Sequence, residues 1–114
     1  MKIVFTAKGN TKESEMDPRF GRAPYLLVYN DETKEEEWID TTSISEAGHG
    51  AGPRMAKTVM DLNADVIVTG NGPGGKAAQV LERSSIKIFA GAADGSVQNA
   101  IDGYLAGKFK EFSL

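Results

Sequence analysis

The sequence predicts an α/β fold of three α/β/α layers around a mixed sheet of about five strands, and three observations predict it. Short apolar runs bounded by glycine and proline mark strands. Past residue 50 the rhythm changes, and apolar residues at helical spacing alternate with further strands. The resulting order is a strand, a hairpin of two strands, then helix, strand, helix, strand, helix. Helical crossovers place the later strands parallel in one sheet, with right-handed connections.

Each element has its own warrant. "KIVFTA" is the first strand, and its unbroken Ile3, Val4 and Phe5 imply burial on both faces. The polar stretch from Lys8 to Pro24 has no periodicity and is long for a compact domain, so it is either mobile or functional. "YLLVYN" and "EEEWID" form an antiparallel hairpin across a polar turn. Glu35, Glu36 and Glu37 mark an exposed edge, where charge discourages pairing with other chains. A helix starts near Pro53, a residue favoured at the first helical position, and turns Ala56, Val59 and Met60 inward.

"DVIVTG" is the next strand, "GKAAQVLERS" a second helix and "IKIFAG" another strand. In the third helix Val97, Ala100, Ile101, Tyr104 and Leu105 fall on one face, with Asp94 or Ser96 as its cap. "KFKEF" closes the chain as a short added strand. Three strands followed by alternation give the sheet a ribonuclease H-like topology.

Bulk properties narrow the function. The 114 residues fit one domain, since two halves would each be too small to bury a core. No apolar run approaches a membrane span and no signal peptide is evident, so a cytoplasmic protein is expected. A net charge of −3 argues against a general nucleic-acid binder. Without cysteine there is no disulfide, thiol nucleophile or thiolate ligand. Metal chemistry is then left to His49, carboxylates, backbone groups, or a cluster held without thiolates.

The glycines are unevenly spread. Gly48, Gly50 and Gly52 precede one helix, and Gly70, Gly72, Gly74 and Gly75 precede the next. A helix N-terminus offers unpaired N–H groups and a positive dipole end, and glycine lets a ligand approach the backbone. "GNGPGGKA" has the G-x-x-x-x-G-K spacing of a phosphate-binding loop, but Ala77 stands where a hydroxyl would hold magnesium. Nucleotide hydrolysis is thus poorly supported, whereas another anion on the same backbone remains open. Plain turn formation is the competing role of these glycines.

His49, the only histidine, lies between two of them. It is either an exposed loop residue or a ligand group that completes a metal already held in a cluster. Arg19 and Arg22 flank Phe20 and Gly21, where they either anchor the loop or grip a polydentate anion.

"DPRFGRAPYLLVY", "GHGAGPRMA", "ADVIVTGNGPGGKA" and "GSVQNAIDGYLAGKF" together resemble the nitrogenase iron–molybdenum cofactor biosynthesis and accessory domain family, as a stand-alone single-domain member. The resemblance runs from about Asp17 to Phe109. It implies the same ribonuclease H-like fold and a non-enzymatic accessory protein that binds an iron–molybdenum cofactor, a precursor, or another metal–sulfur cluster as cargo. It makes His49 the cluster-contacting group and adds Arg19, Arg22, Gly48, Gly50, Gly52, Gly70, Gly72 and Gly75 to the binding residues. The implied partners are the cluster and its donor and acceptor proteins, without nucleotide, nucleic acid or membrane.

Two other readings compete. A small-anion or nucleotide-binding regulatory module would use the same turns. A metal-dependent ribonuclease H-like nuclease needs a carboxylate within the first strand, which has none, and Asp65 is expected at the opposite rim from the glycine turns.

Overall fold

A computed structural model describes residues 1–92 and 94–113. Among these residues six strands form one sheet in the order β3-β2-β1-β4-β5-β6. They are β1 (Lys2–Ala7), β2 (Tyr25–Asn30), β3 (Glu36–Asp40), β4 (Val66–Val68), β5 (Lys87–Ala90) and β6 (Lys110–Glu111). Among the described residues four α-helices accompany them: α1 (Thr42–Ser45), α2 (Ala51–Asp61), α3 (Gly75–Leu81) and α4 (Val97–Leu105). The sixth strand is the "KFKEF" addition, which pairs antiparallel with β5 and takes the sheet beyond five.

The central strand explains the layering. Side chains alternate across a strand, so Ile3, Phe5 and Ala7 enter one core while Val4 enters the other. Val97, Ala100 and Ile101 of α4 cover the first face. The second face is covered by Met55, Ala56 and Val59 of α2 with Ala77 and Leu81 of α3. Strand β1 runs antiparallel to β2, with Ala7 opposite Tyr25, and parallel to β4, with Phe5 opposite Val68. The acidic β3 is an edge, and Glu35, Glu36 and Glu37 are exposed there.

Several local expectations need correction. The α2 helix begins at Ala51, because Gly50 takes a left-handed conformation (φ 76°) as its N-cap; Pro53 sits third, still where no N–H is required. Leu105 is 49% exposed, since it ends α4 where the chain turns away through Gly107 at φ 73°. Of the two caps expected for α4, the structure has Ser96, which accepts the Asn99 N–H at 3.1 Å. Helix α1 is too short to leave a periodic signal. It begins where Asp40 Oδ1 accepts the Thr42 amide at 2.9 Å and hydroxyl at 2.6 Å, and these bonds hold the Asp40 carboxyl below its ordinary pKa.

The polar stretch before β2 is anchored. Met16 bridges to Ala7, Glu15 bridges to Ser96, and Met16, Asp17 and Phe20 are buried. Thr6 Oγ1 hydrogen-bonds the Asp17 carbonyl at 2.7 Å and the Thr69 hydroxyl at 2.9 Å, in a fully buried link between β1, this stretch and the end of β4.

Candidate anion-binding cleft

Strand register brings several chain segments to one rim. Ala7 ends β1 opposite Tyr25, which begins β2 and lies opposite Asp40 at the end of β3. A 3-10 turn over Phe20–Arg22 precedes β2, and the chain after β4 returns through the second glycine stretch into α3. The first turns of α2 and α3 and this 3-10 turn therefore meet.

Small residues set how closely they meet. A Cβ on Gly21 would stand 3.0 Å from both Cα and N of Gly52, and a Cβ on Gly52 would stand 3.3 Å from Ala77 Cβ. Backbone packs on backbone at Gly21, and Ala77 fills the next layer. Residue 77, where the phosphate-loop pattern would place a hydroxyl, is an alanine buried against the neighbouring helix start.

Between these starts lies a cleft of about 310 Å³, bordered by Phe20, Gly21, Arg22, Gly50, Gly52, Gly75 and Lys76 among others. Neither helix start is closed by a side chain. Gly50 caps α2 and Gly74 caps α3 without a side-chain hydrogen bond, and neither first turn holds an acidic residue. The amides of both starts thus keep their positive character toward the cleft. Lys76 and Arg22, both exposed, add formal positive charge.

The residues singled out from sequence separate into groups. Arg22, Gly50, Gly52 and Gly75 border the cleft. His49 is exposed and directly precedes Gly50, and Gly48 is likewise exposed in open space; neither belongs to the cleft wall. Arg19 stands outside it, with Nε and Nη2 donating to Asp17 at 3.2 and 3.3 Å. Gly70 is buried, and its carbonyl accepts the Gly91 amide. Gly72 has φ 82° and sits under the Phe112 ring, where a Cβ would come within 2.6 Å of Cε2, so packing explains this glycine.

Several cleft residues were not expected from sequence, Gly21 and Lys76 among them. Lys76 was visible in the G-K spacing, and Gly21 lay between the two arginines, but nothing local marked either as part of the wall.

The arrangement suits an anion larger than a single oxyanion. The charges come from two helix starts, an ammonium and a guanidinium, and the only imidazole stands one residue beyond the wall. Among the described residues no three His, Asp or Glu side chains gather as a metal site. Asp65 accepts the Lys2 amide at 2.8 Å, at the opposite rim, so no carboxylate from it reaches the cleft. No described helix is long and apolar enough to cross a membrane.

Comparison with known proteins agrees with this fold. The family model described as dinitrogenase iron-molybdenum cofactor matches residues 1–107. The apo form of the orange protein from Desulfovibrio gigas is similar at a TM-score of 0.91 and 31% identity, covering 98% of this chain and 92% of that one. A candidate NifB protein from Thermotoga is similar at a TM-score of 0.84 and 25% identity, covering 99% and 97%. No curated protein sequence matches the chain.

Proposed function

The chain belongs to the dinitrogenase iron-molybdenum cofactor family, and from that premise we propose that it binds and carries a metal–sulfur cluster without covalent attachment. The guest is an iron–molybdenum cofactor, its precursor or a related cluster, received from one protein and passed to another during cofactor assembly. The protein acts as a binder and not as an enzyme. One observation carries the reading: two uncapped helix starts, Lys76 and Arg22 converge on one cleft beside the exposed His49. Metal–sulfide clusters are polyanions, and amide dipoles with charged donors hold polyanions without thiolates.

In this reading the backbone at Gly50, Gly52 and Gly75 lies against the guest, while Lys76 and Arg22 neutralise it. His49 supplies the one side-chain metal ligand. Arg19 holds Asp17 and through it the start of the 3-10 turn. Hold of this kind is reversible, as transfer to an acceptor requires.

The test is anaerobic addition of tetrathiomolybdate, with gel filtration and visible spectroscopy as readouts. The wild type is expected to carry the chromophore, with His49→Ala and Lys76→Ala each weakening binding by roughly tenfold, the scale of one charge-assisted contact. Equal binding by all three would remove the site assignment. Thermal stabilisation by a magnesium–nucleotide complex but not by tetrathiomolybdate would establish the nucleotide-binding module instead.

A further inference from the structure

Arg22 touches two parts of the molecule at once. Its Nη1 donates to the carbonyl of Ser45 at 2.9 Å and to that of Ala47 at 2.7 Å, and the same side chain borders the cleft. Ser45 is the last residue of α1. A guanidinium there satisfies carbonyls that a helix end leaves without partners and complements the negative end of its dipole. The donor comes from the 3-10 turn, remote in sequence from the helix it closes.

The chain just beyond α1 has little else to fix it. Gly48, His49 and Gly50 are all exposed, and a Cβ built on Gly48 or Gly50 would meet nothing within 4 Å. Among the described residues neither Gly48 nor His49 forms a backbone hydrogen bond. This segment is held on one side by the start of α2, where Gly50 accepts the Arg54 amide, and on the other by the turn that Arg22 grips.

We propose that Arg22 is the positioning residue of the cleft: its guanidinium clamps the 45–47 turn and thereby fixes where His49 stands. The clamp uses Nη1 and leaves Nη2 and Nε for an anion in the cleft, so one side chain links the guest to the segment that bears the imidazole. The guest's identity rests on the cluster-binding reading; the clamp is a property of the guest-free protein.

Two measurements separate these claims. In guest-free protein, amide exchange at Glu46 and Ala47 and the heteronuclear NOE at residues 48–50 are compared in wild type, Arg22→Lys and Arg22→Gln. Arg22→Gln is expected to speed exchange by about tenfold and to lower the NOE, with Arg22→Lys in between. Wild-type values in Arg22→Gln would overturn the clamp, whether or not any cluster binds. The second measurement is a double-mutant cycle between Arg22→Gln and His49→Ala, read as tetrathiomolybdate affinity. Because Arg22 acts through the segment carrying His49, the loss from His49→Ala shrinks by about fivefold or more in the Arg22→Gln background. Strict additivity would reduce Arg22 to a separate charge and overturn the positioning role. If wild type takes up no tetrathiomolybdate, the cluster reading fails and the exchange data alone decide the clamp.

Discussion

Phe20→Ala is expected to lower the stability of the protein by about 3–5 kcal/mol, the range for truncating a buried phenylalanine. Phe20 is 2% exposed, packs in the core beneath α2 and α3, and also borders the cleft. It is the one large side chain that roots the 3-10 turn, with Arg19 and Arg22 on either side. Truncation leaves a void in the core cluster that also holds Met55 and Leu81, and repacking fills it only in part. For a domain of this size the loss is a large fraction of the whole stability. Chemical denaturation should show a lower midpoint with a native-like slope. A midpoint within error of wild type would mean that the turn is held by its hydrogen bonds and not by its aromatic root.

Gly21→Ala should cost about 1–3 kcal/mol by overpacking, although alanine normally relieves the entropic burden of glycine. The added methyl meets Cα and N of Gly52 at 3.0 Å, and neither atom belongs to a side chain that can rotate away. The 3-10 turn and α2 must separate, which carries Arg22 away from the 45–47 turn. Tetrathiomolybdate binding should therefore fall together with the melting temperature. Gly48→Ala is the matched control: its Cβ enters open space, so stability should change by no more than about 0.5 kcal/mol. If Gly21→Ala behaves like Gly48→Ala, the close backbone approach does not define the cleft.

The two glycines show why the site was only partly legible. Local chemistry writes itself into sequence. Ile3, Val4 and Phe5 announced a strand buried on both faces, and the spacing from Val97 to Tyr104 announced α4. The glycines at 50, 52 and 75 announced two helix starts, neither of which a side chain caps. The joining of these pieces is tertiary. The contact of Gly21 with Gly52 links segments that no periodicity relates, and it turned two separate amide cradles into one cleft. Arg22 finds its partners in two backbone carbonyls, which carry no residue signature at all. Gly72 resembled its neighbours in the second turn, yet the Phe112 ring explains it. Arg19 and Arg22 looked equivalent as a pair; the buried Asp17 carboxylate takes the first and leaves the second at the cleft.

The phosphate-loop pattern is matched only in part. The spacing from Gly70 to Lys76 is right, and the loop does join a strand to a helix. Residue 77, however, is a buried alanine that packs against the first turn of α2. A motif defined by spacing alone does not register that its last position faces another helix.

The central claim is that a polyanion is gripped where α2 and α3 begin. The most direct measurement is a titration of isotope-labelled protein with tetrathiomolybdate under anaerobic conditions, monitored amide by amide. The amides of residues 50–52 and 74–77 should shift together and saturably, while Lys2 and Asp65 at the far rim stay in place. Saturable shifts centred on Lys2 and Asp65, with the two helix starts unmoved, would contradict the account.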